Sequence, residues 1–184
     1  MFNLKKEKKK MKKIMMTIAA AFVATAMNAQ GYIGGSLGFQ TSSYDGESTT
    51  TWKIMPEVGY NINDSWAIGT TIGYGQSGKG DDKVKTFTVS PYARLAVAKL
   101  SMVNVFIDGG VGYSFVEQGG AKVNEFNVGL KPGVALNLND KLSFVAHFGF
   151  LGYQNDKVKG ADKSVNTFGL NLDNNVSFGL YLNF

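Results

Sequence analysis

Val176-Ser177-Phe178-Gly179-Leu180-Tyr181-Leu182-Asn183-Phe184 alternates without a break: the odd members of the run are apolar and those between them are small or polar. A period of two belongs to a strand that buries one face. The apolar face carries through to an aromatic last residue, which a soluble domain would leave to fray or aggregate. The stretch therefore asks which solvent its greasy face meets.

The same alternation continues upstream over residues 30–184, and no convincing amphipathic helix interrupts it. Strand one (about 32–40) sets Ile33, Leu37 and Phe39 against Tyr32, Gly34, Ser36, Gly38 and Gln40. Strand two sets Trp52, Ile54, Pro56, Val58, Tyr60 and Ile62 against Lys53, Met55, Glu57, Gly59 and Asn61. Strand three has Trp66, Ile68, Ile72 and Tyr74 on its apolar face, and strand four has Phe87, Val89, Pro91, Ala93, Leu95 and Val97, opposite Tyr92 and Arg94. Strand five places Val103, Val105, Ile107, Val111, Tyr113 and Phe115 opposite Phe106 and Asp108. Strand six places Phe126, Val128, Leu130, Val134, Leu136 and Leu138 opposite Asn127 and Lys131. Strand seven sets Leu142, Phe144, Ala146, Phe148 and Phe150 against Ser143, Val145 and His147. Strand eight keeps one phase from Phe168, Leu170 and Leu172 through Val176 to Phe184.

Eight strands are joined by links that alternate in size. Those near Asn63 and Asp64, near Lys99, and near Asn139 and Asp140 are short. Those containing SSYDGESTT, SGKGDDK, EQGGAK and QNDKVKGADKS are longer and polar, read as loops of roughly six to eleven residues. Short turns on one side, longer loops on the other and an even number of antiparallel strands make the layout of a transmembrane β-barrel. Residue size says which face is wet. Bulky Trp, Phe, Leu, Ile and Val gather on one face, and Gly, Ala, Ser, Asn and Thr on the other. The interior of an eight-stranded barrel is just wide enough for side chains to fill, so the small face belongs inside. A soluble lipocalin-like barrel or sandwich needs its bulk in the core, and lipid is the better solvent here. The expected fold is all-β, an eight-stranded antiparallel up-and-down transmembrane barrel.

The formal charge of +5 is unevenly spread. Residues 1–29 carry seven lysines and one acid, leaving 12 basic against 13 acidic residues in 30–184. That balance removes the case for nucleic-acid binding. Lys12 and Lys13, an apolar run over 14–26 and small residues around Asn28 and Ala29 have the layout of a secretory signal peptide, with cleavage expected after Ala29. Its apolar run is shorter than the roughly 20 residues of a spanning helix. Met11 begins a signal of ordinary length and is a candidate true start. The domain division is thus 1–29, signal peptide, and 30–184, barrel. There is no Cys, so neither disulfides nor a lipid anchor at the N-terminus is expected in this exported chain.

A weak repeat links IMPEVGYNINDSW, TVSPYARLAVAKL and GLKPGVALNLNDKL, with Pro56, Pro91 and Pro132 at equivalent places. Proline cannot donate to a ladder and a closed barrel has no free edge, so each is expected at a bulge or bend. The run Pro56-x-x-Gly59-Tyr60-x-x-x-Asp64-x-x-Ala67-x-Gly69, the signal peptide and the aromatic end resemble the outer-membrane β-barrel domain family of small porin-like proteins. The resemblance covers essentially the whole mature chain. It implies a barrel of OmpA or OmpX type in the bacterial outer membrane, and a final aromatic, Phe184, recognised by the assembly machinery. It does not imply one activity, because the fold hosts anchors, adhesins, narrow pores and enzymes. With no room after Phe184 for a peptidoglycan-binding domain, that role is not expected.

Glu57, Arg94, Asp108 and Lys131 all face the lumen at comparable distance from the short turns. Two acids and two bases at one level form either a gate on a narrow ion path or a salt-bridge plug that satisfies buried charge. His147 is the single histidine, which excludes a multi-histidine metal site, and no metal or other cofactor is expected. Ser143 and Ser114 share its lumen, but nothing fixes a Ser, His and acid at hydrogen-bond spacing, so catalysis is not expected. Gly73-x-Gly75-x-x-Gly78 matches a phosphate-binding pattern, yet no helix follows it. Asp81 and Asp82 lack further ligands for a cation. Trp52, Phe87, Phe115 and Phe126 fall toward the long-loop rim and Tyr60, Trp66 and Phe184 toward the short-turn rim, as interface aromatics of a barrel do. The expectation is a monomeric outer-membrane barrel with a structural or surface-interaction role. Its partners are lipid, the assembly machinery and an unidentified extracellular ligand. The alternatives are a narrow porin and, behind it, a lipid hydrolase.

Overall fold

The computed structural model describes residues 30–44, 47–78, 83–119, 121–158, 164–171 and 177–184. The signal segment, Leu172, Val176, Asp81 and Asp82 lie outside them. Ten strand segments follow in chain order: β1 (Gly31–Tyr44), β2 (Glu47–Asn61), β3 (Trp66–Ser77), β4 (Val84–Lys99), β5 (Val103–Gln118), β6 (Ala121–Asn137), β7 (Leu142–His147), β8 (Phe150–Val158), β9 (Ser164–Asn171) and β10 (Ser177–Asn183). They make eight walls, because β7 and β8 are two halves of the seventh and β9 and β10 two halves of the eighth. Each wall pairs antiparallel with the next, and β10 returns to β1 from Tyr32↔Asn183 to Ser36↔Gly179. The Phe184 N–H donates to the Gly31 carbonyl at 2.9 Å, so the last strand closes the cylinder against the first.

Facing follows the expected alternation. Ile54, Ile68, Val89, Val111, Val128, Leu130, Phe144, Leu180 and Leu182 are exposed, while Tyr32, Ala67, Phe106, Val145 and Tyr181 are buried in the lumen. Apolar surface that wraps a whole barrel far exceeds the patches a soluble monomer tolerates. With lipid as its solvent, that surface needs no further cover.

Three features of the walls depart from the sequence reading. The polar links after the first and fifth walls, and the described part of the link after the seventh, are largely strand. The ladder of β1 and β2 runs to Tyr44↔Glu47, and that of β5 and β6 to Gln118↔Ala121, where Gly119 has φ of 53°. Polar residues such as Thr49 and Thr50 read as loop, yet Thr suits a strand and the ladder continues into them. The first and third of the long loops are therefore largely hairpin ladder.

Phe150 was expected on the lipid face and lies in the lumen. β7 pairs with β6 as Gly133↔His147, but β8 pairs with it as Leu130↔Leu151, one residue out of step. Gly149, with φ of 76°, takes up the extra residue as a bulge and turns Phe150 inward over Gly129 and Gly152.

The prolines sort into two cases. At Pro56 and Pro91 the ladder to the following strand lapses without a change of register, resuming at Glu57↔Thr71 and Tyr92↔Gly110. Only Pro132 stands beside a bulge, and its carbonyl accepts from Phe148 N–H at 3.1 Å. The repeat reaches atomic detail at the turns. Asn63 Oδ1 accepts from Ser65 and Trp66 N–H, and Asn139 Oδ1 accepts from Lys141 and Leu142 N–H, all at 2.9 Å. These are two copies of one Asx turn.

Candidate functional site

Across the middle of the lumen, side chains from β1, β2, β4, β5, β7 and β10 form a plug around Arg94. Arg94 Nε donates to Asp108 Oδ1 at 2.7 Å and Nη2 donates to Oδ2 at 2.8 Å, a bidentate fork. The same Nη2 reaches Glu57 Oε1 at 3.2 Å. Glu57 also accepts from the Tyr92 hydroxyl and from Thr71 Oγ1, and Tyr92 is joined to the Tyr32 hydroxyl at 2.6 Å. His147 Nε2 meets Asp108 Oδ2 at 2.9 Å. No buried side-chain polar atom among the described residues lacks a partner.

Aromatic rings pack the space around these charges. The guanidinium carbon lies 4.0 Å from the Phe106 ring centroid, 5.1 Å from Tyr92, 5.5 Å from Tyr32 and 5.6 Å from Tyr181. Tyr32 stacks on Tyr181 with centroids 5.6 Å apart, and Phe106 meets His147 edge-on at 5.2 Å. Each ring has a glycine directly opposite it on a neighbouring strand: Tyr32↔Gly59, Tyr181↔Gly34, Tyr92↔Gly69 and Phe106↔Gly133. A Cβ on any of these four glycines would clash with the ring it faces. Absence of a side chain lets the ring lie flat across the neighbouring strand and reach the axis.

Of the four charges expected at one level, Glu57, Arg94 and Asp108 come together and Lys131 does not. Lys131 is the direct cross-strand partner of Asp108, but Asp108 is turned away by the Arg94 fork and His147. A planar guanidinium that fills both carboxylate oxygens at once outcompetes a single ammonium. His147, Tyr32, Tyr92, Phe106 and Tyr181 were missed as plug members. Their lumen-facing phase was legible, but their convergence was not.

The plug separates two cavities. On the hairpin side, one of about 490 Å³ is lined by Lys53, Asn127, Lys131, Phe150 and the outer faces of Glu57, Asp108 and His147. On the short-turn side, one of about 620 Å³ is lined by Asn61, Asn104, Asn137, Ser143 and Asn183. Ser143 and Ser114 do not approach His147. Ser143 donates to Asn137 Oδ1 and accepts from Asn183 Nδ2, both at 2.9 Å, while Ser114 pairs with Thr88.

On the outer face, aromatics collect at two levels. The Trp52 and Tyr74 rings are 5.5 Å apart, and cross-strand pairs Tyr74↔Phe87, Phe87↔Phe115 and Tyr113↔Phe126 continue the band around the hairpin half. At the other end Tyr60 is opposite Gly31, whose carbonyl holds Phe184, and Trp66 begins β3 after the Asn63 turn.

This fold is similar to that in the crystal structure of Neisserial surface protein A, at 17% identity over 84% of this chain and 97% of that one, with a TM-score of 0.52. Lower scores link it to the Yersinia pestis outer membrane protein Ail (13% identity, 83% and 98% covered, TM-score 0.44). The translocator domain of autotransporter NalP from Neisseria meningitidis is also similar (15% identity, 95% and 71% covered, TM-score 0.42). A search of curated proteins found no match. The model of the outer membrane protein beta-barrel domain matches residues 14–184, so the chain belongs to that family and is an outer-membrane β-barrel.

Proposed function

We propose that this barrel is a closed, non-conducting monomer with a structural or surface-interaction role, presenting its extended hairpins outside the membrane. The observation that carries the reading is the plug. Its charges are partnered across the lumen, its rings fill the gaps, and the cavities on either side are separate. An ion crossing it would have to part Arg94 from two carboxylates in a confined space. The role is read as non-enzymatic, with His147 engaged by Asp108 and Arg94 and with Ser143 and Ser114 bonded elsewhere.

In the same reading the two aromatic bands mark the membrane interfaces, Phe184 is the residue that the assembly machinery recognises, and the mature chain begins at Gln30 after export. Planar-bilayer recording of the refolded protein tests the central claim. The wild type should show no single-channel step, and Arg94→Ala should show leakage. A reproducible step in the wild type would establish the narrow-porin alternative instead.

A further inference from the structure

We propose that the hairpin-side cavity binds a small soluble anion, carrying a carboxylate or phosphate group, between the ammonium groups of Lys53 and Lys131. The plug uses up its acids. Asp108 is filled by the Arg94 fork and His147, and Glu57 by Arg94, Tyr92 and Thr71. Among the described residues neither Lys131 nor Lys53 has a carboxylate within 4.0 Å. Both nevertheless line one cavity.

Lys131 is half-buried and Lys53 exposed within it, and two like charges that share a chamber repel unless an anion joins them. The charges lining the cavity are Lys53 and Lys131 against carboxylates already shared with Arg94, so the unmet demand is for negative charge. Neighbouring groups leave room for it. The cross-strand partners of Lys53 are Gly38 and Gly75, and neither offers a side chain to fill the space beside it. Thr71, Ser90 and Asn127 add hydroxyl and amide donors to the wall.

The bulge at Gly149 completes the pocket by bringing the Phe150 ring inward, 5.9 Å from Lys131 Nζ, as a flat apolar wall for the body of an organic acid. At about 490 Å³ the cavity lies toward the small end of the roughly 300–1,000 Å³ of small-molecule sites. The inference stands apart from the proposed role: conductance tests the plug, and binding tests the chamber above it.

Isothermal titration calorimetry decides it, using the protein refolded in zwitterionic detergent, which supplies no anionic lipid, with inorganic phosphate and benzoate as probes. Saturable binding of at least one probe is expected. Lys131→Met and Lys53→Met should each weaken it at least tenfold, and Lys131→Arg should retain it. Lys99→Met, in the opposite chamber, should leave it unchanged. Among the described residues Lys53 makes no hydrogen bond or ion pair with the plug, so its variant reports on binding even where Lys131→Met fails to refold. Absence of saturable binding by both probes, or equal binding by wild type and Lys53→Met, would overturn the proposal.

Discussion

Replacing Arg94 by Met removes the one cation that the plug shares between two carboxylates. The wild-type guanidinium makes contacts of 2.7 and 2.8 Å to Asp108 and 3.2 Å to Glu57, and these side chains are 12% exposed for Arg94 and 7% for each acid. Breaking a buried pair by deleting one partner costs about 3–5 kcal/mol, mostly as the penalty of the charge left behind. Two carboxylates are left here, and His147 stays beside only one of them, so a loss of about 4 kcal/mol or more is expected. Urea unfolding in lipid vesicles, followed by the fluorescence of Trp52 and Trp66 at opposite ends of the barrel, measures it. A second variant separates lost attraction from stranded charge. Arg94→Met combined with Glu57→Gln and Asp108→Asn leaves no stranded carboxylate in the plug and should recover at least half of the loss. A single-variant loss below about 1 kcal/mol, the value of exposed pairs, would refute the reasoning. So would a triple variant no more stable than the single one.

Gly59→Ala should destabilise the barrel by roughly 1–3 kcal/mol through overpacking, because its Cβ would meet the Tyr32 ring at 2.0 Å. Gly38→Ala, with its nearest neighbour at 3.6 Å, should be close to neutral in the same unfolding assay. Deleting Phe184 should impair assembly in cells, read as folded barrel in outer-membrane fractions, more than refolding in detergent; equal loss in both would reduce it to a packing residue. Mass spectrometry of the protein isolated from membranes should find Gln30 as its first residue, and a different N-terminus would move the cleavage site.

Much of this was legible because a barrel wall has only two sides. Once Leu180 and Leu182 face lipid, Tyr181 must face the lumen, and the same parity assigns Tyr32, Arg94, Phe106 and Asp108. What parity could not supply was register between walls. That Tyr32 lies opposite Gly59, or Phe106 opposite Gly133, depends on how far each strand slides along its neighbour, and each such ring needs a bare glycine beside it. Phe148 and Phe150 show the limit of parity. Their spacing of two implies one face, but the extra residue at Gly149 breaks the count. The hairpin tips misled for a different reason: polar residues outside a membrane suit a strand or a loop equally, and only the ladder decides.

From sequence alone came the eight alternating walls, the lipid-facing side of each and the charges of the lumen, because these rest on local composition and a period of two. Tertiary structure alone decided that Arg94 would capture both acids, that His147 would join them, and that Lys131 would be left facing a cavity with Lys53. Charge pairing is a competition settled by reach and geometry across β2, β4, β5, β6 and β7, and no local pattern records which donor wins.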